Sequence, residues 1–322
     1  MTRIVFHGQS YDCGEKQSVL DCLTSSGVPV PSSCRAGVCQ TCLMRAVKGK
    51  VPPEAQKGLK PTLVEQNYFM ACSCRPNEEL EVAFPEEGTG KLSASVIGIE
   101  PLNPEISRVK LYPAGPFEYR AGQYVNLFKD ESTVRSYSLA SVAELDGYLE
   151  LHVRKIPQGK VSTWIHDVLG PGDQIEMSEA AGDCFYAHGN PDQGLLLIGT
   201  GSGLAPLYGI IRDALHNGHK GPIHLFHGSL NVDGLYLVDE LREMAEKYPN
   251  FSYTPCISEG EAPQGYAFGT VLDVALAEVP RISGWRVYLC GNPAMVNAAK
   301  KKAFLAGASM RDIYADPFVP AS

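Results

Sequence analysis

The chain lacks any apolar run of membrane-spanning length, which argues against a transmembrane helix. It has no internal repeat and no low-complexity tract, which excludes solenoid and other repeat architectures. Basic charge is in short supply. Lys and Arg number 28 against 36 Asp and Glu, for a formal net charge of -8. That balance argues against nucleic acid as a partner. The lack of a basic amphipathic segment argues against docking on a membrane surface. No signal peptide precedes the first strand-like run, Thr2 to His7. The expected setting is therefore reducing and cytoplasmic, where ten cysteines do not read as a disulfide framework. What remains is the composition of a soluble globular protein, with 322 residues for two or three domains.

Three cysteines stand in the run Cys34-Arg35-Ala36-Gly37-Val38-Cys39-Gln40-Thr41-Cys42, with Cys72 and Cys74 further on. C-x4-C-x2-C with a distant fourth cysteine is the plant-type [2Fe–2S] spacing. Two irons need four thiolates, and a loop that folds around the cluster can supply three of them. Ala36 and Gly37 are small enough to let backbone N–H groups approach the sulfurs. Structural zinc pairs usually show short gaps in both halves of the motif. On spacing alone, either Cys72 or Cys74 can supply the fourth thiolate. Cys13, Cys22, Cys184 and Cys256 read as ordinary buried residues.

Around the cysteines, Thr2–His7 and a run near Tyr11 read as a hairpin about Gly8. Ser18 can cap a helix through Val19, Leu20, Cys22 and Leu23 to Gly27. Leu43–Val47 and Leu80–Phe84 read as strands. Residues 1–90 thus resemble the β-grasp plant-type ferredoxins. In the ferredoxin segment that Cys72-Ser73-Cys74-Arg75-Pro76 resembles, a ligand cysteine lies four residues before a proline. The resemblance therefore implies Cys34, Cys39, Cys42 and Cys72 as the iron ligands. Nine basic and ten acidic residues nearly balance in 1–90, so charge steering onto a basic partner has little support. Arg35 and Arg75 are expected to flank the cluster, and Arg35–Val38 is the expected docking surface.

Residues 91–188 carry alternating strand-like runs, such as Ser93–Ile99, Ser107–Leu111 and Tyr148–Arg154, separated by Gly and Pro turns. A small antiparallel barrel is the predicted result. Within it lies Arg135-Ser136-Tyr137-Ser138. Arg135 offers a fixed fork to a phosphate, Tyr137 an aromatic face, and Ser138 a hydroxyl for a flavin ring nitrogen. The run resembles the flavin-binding R-x-Y-S of the ferredoxin–NADP reductase superfamily. His152, Val153 and Lys155 resemble its second flavin strand. Gly159, Val161, Ser162 and Thr163 resemble its pyrophosphate turn, where helix-start N–H groups face the diphosphate. The chain departs from the family at Gln158-Gly159, often Gly-Gly. It departs again at Glu179–Phe185, where the family's proline is missing.

Residues 189–322 begin with the apolar run Leu195–Ile198, the signature of a buried parallel strand. Gly199, Thr200, Gly201, Gly203, Leu204, Ala205 and Pro206 follow, then a helix predicted over Leu207–Leu215. Strand, glycine turn and helix place a pyrophosphate on helix-terminal N–H groups. The run resembles the nicotinamide-binding G-T-G-x-G-x-A-P of ferredoxin reductases. Strands at Ile223–His227, ahead of Gly228, and at Arg286–Cys290 complete a doubly wound α/β domain. Cys290, Gly291, Asn292, Pro293 and Met295 resemble the superfamily's C-G-x-P-x-M, whose cysteine borders the nicotinamide. Phe318, by resemblance, covers the flavin ring. A 2′-phosphate favours arginine or lysine beside the second strand; after Gly228 stand Leu230, Asn231 and Asp233, without the family's frequent arginine at the Leu230 position, so NADH is the expected donor.

The three motif sets follow in the order cluster, flavin, nicotinamide. The expected fold is multidomain α+β: a β-grasp ferredoxin domain, an antiparallel flavin barrel and a doubly wound α/β domain. The resemblance is to the reductase components of bacterial multicomponent oxygenases. It implies NADH, FAD and a [2Fe–2S] cluster in series, a partner oxygenase component and a monomer. FAD is implied over FMN because the cluster domain comes first. Hydride transfer is expected in a gap bounded by Ser138 and Cys290, which position the reactants. Two alternatives share the motifs. One is a reductase of the CDP-6-deoxy-glucoseen type feeding an iron–sulfur dehydratase. The other is a redox sensor without turnover.

Overall fold

Thr2–Phe6 (β1) and Gln9–Cys13 (β2) form the hairpin, closed by His7 and Gly8 at φ 50° and 74°. Ser18 caps Val19–Ser25 (α1), its Oγ accepting the Asp21 N–H at 3.1 Å. Leu43–Lys48 (β3), Pro61–Glu65 (α2), Tyr68–Met70 (β4) and Leu80–Ala83 (β5) follow. The strands make one mixed sheet in the order β2-β1-β5-β3-β4, with β1 and β5 parallel. Ile4, Phe6, Leu20, Leu23, Met44, Phe69 and Leu80 pack its core. This is the β-grasp arrangement. The structure is a computed structural model and describes residues 2–37, 39–85, 91–130 and 133–319. Val38 and the sequence boundary at residue 90 lie outside them.

The chain divides into two compact units, Met1–Thr89 and Gly90–Ser322. In the second unit come Lys91–Pro101 (β6), Ile106–Pro113 (β7), Tyr124–Phe128 (β8), Val134–Ser138 (β9), Leu149–Arg154 (β10), Lys160–Asp167 (α3) and Gln174–Ser178 (β11). The six strands run β10-β7-β6-β11-β8-β9, antiparallel throughout. A bridge from Leu139 to Leu151 brings the two ends together and closes the barrel. Inward residues such as Val96, Leu111, Val125, Leu127 and Leu151 fill it.

Leu195–Thr200 (β12), Leu204–His216 (α4), Ile223–Ser229 (β13), Val238–Lys247 (α5), Phe251–Ile257 (β14), Ala267–Phe268 (β15), Val271–Glu278 (α6), Arg286–Gly291 (β16), Pro293–Leu305 (α7) and Ile313–Pro317 (β17) complete the unit. Their sheet is parallel, in the order β15-β14-β13-β12-β16-β17. The chain order reverses between β12 and β16. In a doubly wound sheet, that crevice is where ligands bind. Helix α4 begins three residues before the predicted Leu207, because Pro206 in a first turn removes no helical bond.

Across the boundary expected at 188/189, the barrel and the parallel sheet pack on each other through shared buried residues. Ile106, Ala140, Cys184 and Tyr186 pack with Leu197, Leu207, Ile211 and Tyr288. A Cβ on Gly209 of α4 would stand 3.0 Å from the Ala140 carbonyl oxygen, so the helix lies directly on the barrel. Arg212 forks onto Asp146 with two bonds of 2.8 Å.

Candidate active site and cluster loop

Within the first unit, the segment between α1 and β3 has no regular element. Arg35, Gly37 and Gln40 turn it through the left-handed region at φ 52°, 71° and 59°. The turns aim N–H groups at sulfur. Ala36 and Cys39 each donate to Cys34 Sγ at 3.4 Å, and Cys34 donates to Cys39 Sγ at 3.5 Å. The Thr41 hydroxyl lies 3.2 Å from Cys39 Sγ. That hydroxyl, then the Cys34 N–H, pulls the Cys39 thiol down to about 6. A Cβ on Gly37 would fall 2.5 Å from Ser73 Oγ, and the left-handed backbone there favours glycine, so the loop comes close to the Cys72 segment at this residue.

Cys42 and Cys72 are buried together, whereas Cys34 and Cys39 are exposed. Burial pushes the Cys42 thiol up to about 11. The Cys72 backbone N–H opposes that shift and the Cys72 thiol adds to it. Among the described residues, no three His, Cys, Asp or Glu side chains gather as a single-ion site. Two pairs of thiols, with N–H groups on the sulfurs, suit two irons better than one ion. Cys74 faces the core, where burial pushes its thiol up to about 12. Arg35 pairs with Asp21 at 3.5 Å, and Arg75 Nε donates to the Lys16 carbonyl at 3.2 Å.

In the second unit, a cleft of about 1530 Å³ opens at the parallel sheet's switch point. Arg135, Tyr137, Ser138, His152, Gly159, Val161 and Ser162 line its barrel side. Thr200, Gly201, Ala205, Gly228, Gly291, Asn292, Pro293, Met295 and Phe318 line its other side. The remaining predicted residues do not line it. Gly199, Gly203, Leu204 and Pro206 form the loop's underside and the helix start, while Val153 is buried in the barrel core. Thr163 faces a neighbouring pocket. Lys155 turns away to pair with Asp167 at 2.5 Å.

The glycines divide their roles. A Cβ on Gly203 would stand 2.6 Å from the Cys290 carbonyl carbon, so this glycine lets the loop press on β16. Gly201, at φ 54°, faces the cleft with nothing nearer than Arg154 Nη1 at 3.9 Å. Gly159 starts α3 with no side chain to cap it, leaving the first helical N–H groups for an anion. A Cβ there would meet Ser162 Oγ at 2.5 Å. Ser162 Oγ itself accepts the Ile156 N–H at 3.1 Å, which sets the turn. This cradle fits a flavin diphosphate.

Cys290 is fully buried and does not line the cleft; its Sγ lies 3.8 Å from Cys184 Sγ. Burial, then the Cys184 thiol, pushes its pKa well above the ordinary thiol value. Ser138 Oγ instead meets Asp316, at 3.0 Å, and both line the cleft. Phe318 N–H donates to the Gly291 carbonyl at 2.8 Å.

His152 belongs to a buried network. Its Nε2 lies 2.8 Å from Glu150 Oε1 and its Nδ1 3.1 Å from the Tyr236 hydroxyl. Arg108 Nε donates to the same Glu150 oxygen at 3.0 Å. Burial alone would raise the Glu150 carboxyl, but His152 and Arg108 hold it below its usual value. Burial pushes the His152 pKa down against the pull of Glu150. The network is thus a neutral imidazole beside a carboxylate–guanidinium pair. It ties β7 and β10 to the loop before α5. The sequence hid it, because its members lie far apart in the chain.

Three family models match: a 2Fe-2S iron-sulfur cluster binding domain over residues 5–77, an oxidoreductase FAD-binding domain over 99–186, and an oxidoreductase NAD-binding domain over 197–301. The chain is 35% identical to the reductase subunit of an aromatic O-demethylase from an Amycolatopsis species, over 98% of each chain. It is 31% identical to the ferredoxin–NAD(P)(+) reductase component of naphthalene 1,2-dioxygenase/salicylate 5-hydroxylase systems from a Ralstonia species, over 94% of each chain. The crystal structure of the Amycolatopsis cytochrome P450 reductase GcoB superposes with a TM-score of 0.70 at 33% identity, covering 100% of both chains.

Proposed function

The chain belongs to the three-domain iron–sulfur flavoprotein reductases of the ferredoxin–NADP reductase superfamily, and on that premise we propose that it takes electron pairs from NADH and delivers them singly to an oxygenase component. It is an oxidoreductase with a [2Fe–2S] cluster, FAD and NAD(H) as its redox groups. When bound, the flavin supplies the change from hydride to single-electron chemistry that a cluster requires.

The chain's own residues bind and orient. Cys34, Cys39, Cys42 and Cys72 hold the irons, and the loop N–H groups lower the charge on the sulfurs. Arg135 and the amides at the start of α3 take the flavin diphosphate. Tyr137, Ser138 and Phe318 orient the ring. Thr200, Gly201 and Asn292 take the nicotinamide nucleotide at the switch point. Ser138, held by Asp316, keeps hydride donor and acceptor in register rather than moving a proton. After β13 the described cleft wall offers Leu230, Asn231 and Asp233 and no cation, which favours NADH over NADPH. An oxygenase partner is supported by the relatives, named as the reductase parts of oxygenase and O-demethylase systems. Among the described residues no helix is long and apolar enough to cross a membrane.

The observation that carries this reading is that the flavin-type strand and the nicotinamide-type loop open onto one cleft, with Ser138 bonded to Asp316 in its wall. Anaerobic titration with NADH tests it. Flavin bleaching followed by a rhombic reduced [2Fe–2S] EPR signal is expected. Flavin and cluster that stay oxidised with both NADH and NADPH would overturn it.

A further inference from the structure

We propose that Asn103, in the turn between barrel strands β6 and β7, is a specificity-determining positioning residue: it holds the Asn231–Gly234 turn of the nicotinamide side where the Asp233 carboxylate rejects a 2′-phosphate. This rests on the NADH reading above and deepens it, by placing part of the discrimination in the flavin barrel.

The Asn103 amide is used on both sides. Its Oδ1 accepts the Glu105 and Ile106 N–H groups at 2.9 and 2.7 Å, which shapes its own turn. Its Nδ2 donates to the Gly234 carbonyl at 3.2 Å, 131 positions further along the chain. Asn103 and Gly234 both line the cleft, as do Asn231 and Asp233.

The segment it holds has little freedom of its own. Asn231 Oδ1 accepts the Gly234 N–H at 3.2 Å and caps the turn Val232–Gly234. A Cβ on Gly234 would run into Ser229 Oγ. Leu237 then enters the left-handed region at φ 55°, which is uncommon for a bulky side chain. Just before it, Tyr236 is buried, with its hydroxyl 3.1 Å from His152 Nδ1. Glu150 is a carboxylate and can only accept, so the neutral His152 carries its proton on Nε2 and the Tyr236 hydroxyl is the donor. The barrel therefore grips the segment twice, through Asn103 at Gly234 and through His152 at Tyr236. Strained backbone persists where the surrounding contacts over-determine it. A carboxylate rejects a phosphate well only if it cannot swing away, and these two bonds keep Asp233 in place.

Asn103→Ser and Tyr236→Phe each release one grip. Serine can still bond its own turn but is too short to reach Gly234, and phenylalanine keeps the ring while losing the donor. The full flavin-loaded chain is assayed with NADH and with NADPH against ferricyanide. In each variant the NADPH/NADH ratio of kcat/KM should rise on the order of 5-fold, the scale of one hydrogen bond. The change should lie in KM, with kcat for NADH held within about twofold. In an Asp233→Ser background neither change should move the ratio further, because the carboxylate they position is gone. An unchanged ratio in both variants would overturn the proposal. So would an equal rise of KM for both nucleotides, which marks Asn103 as a structural tie alone, or a ratio that shifts equally with and without Asp233. A native chain that does not prefer NADH is a different failure, since it would overturn the NADH reading itself.

Discussion

Ser138 Oγ donates a 3.0 Å hydrogen bond to Asp316 Oδ2, joining the end of barrel strand β9 to the last parallel strand across 178 positions of sequence. Burial raises the Asp316 carboxyl, and the Ser138 bond opposes that shift. A raised carboxyl means the folded state holds its proton more tightly than the unfolded chain. The stability it contributes is present below the unfolded pKa and is lost as pH rises through the folded one. Asp316→Asn removes that loss. The variant's melting temperature should gain on the native one as pH rises above the ordinary carboxylate value of about 4. Its NADH–ferricyanide rate should stay near native, because the amide oxygen still accepts the Ser138 hydroxyl, whereas Asp316→Ala should lower the rate on the order of 10-fold as Ser138 loses its anchor. Parallel melting curves at all pH values would show that the carboxyl does not titrate against folding.

Cys39 and Cys34 exchange N–H···S bonds of 3.4 and 3.5 Å. Cys39→Ser removes a thiolate from the exposed pair and changes no residue of the second unit. Iron content should drop by about half or more, since a four-thiolate cluster rarely survives the loss of one ligand. NADH–ferricyanide activity through the flavin should persist. Loss of both would mean that the two units do not act separately.

Much of this was legible because it is local. The C-x4-C-x2-C run, Ser18 as a cap, and strand–glycine–helix at Gly199–Leu204 each lie within one short segment and carry their geometry in their residue types. What the sequence could not show is direction and distance. Lys155 and Arg154 are neighbours on one strand end. Only Arg154 lines the cleft, while Lys155 finds Asp167. Cys290 sits in the expected strand end, but its side chain turns into the core toward Cys184. The Arg108–Glu150–His152–Tyr236 network needs residues from three separate elements. No periodicity reports such a meeting.

Arg135 is exposed, and its guanidinium bonds only to the adjacent Val134 carbonyl among the bonds described, at 2.5 Å. It lines the cleft with its charge unneutralised by a carboxylate in that bond. Arg135→Ala should raise the flavin dissociation constant on the order of 10-fold, as expected for a lost charged hydrogen bond. Native flavin content after gel filtration of the variant would sink that role.

Leu230 is 61% exposed and lines the cleft beyond β13, near Asp233. A carboxylate here suits ribose hydroxyls and repels a 2′-phosphate. Leu230→Arg should raise the NADPH/NADH ratio of kcat/KM on the order of 10-fold, and adding Asp233→Ser should raise it further. An unchanged ratio in both variants would remove this segment from the specificity argument.

Gly201 and Gly203 lie two residues apart, and their alanine variants should fail in different ways. A Cβ at Gly203 points at the Cys290 backbone, with the carbonyl carbon 2.6 Å away. Backbone cannot yield as a side chain can, so Gly203→Ala should lose about 1–3 kcal/mol of stability by overpacking and raise KM for NADH as the loop lifts. A Cβ at Gly201 meets only Arg154 Nη1, at 3.9 Å, and its φ of 54° is mildly strained for alanine. Gly201→Ala should lose only about 1 kcal/mol of stability but weaken NADH binding more, because the methyl stands where the diphosphate approaches. Flavin content should stay native in both, since the flavin residues belong to the barrel. A Gly201 variant with native KM would show that the diphosphate does not pass over that residue.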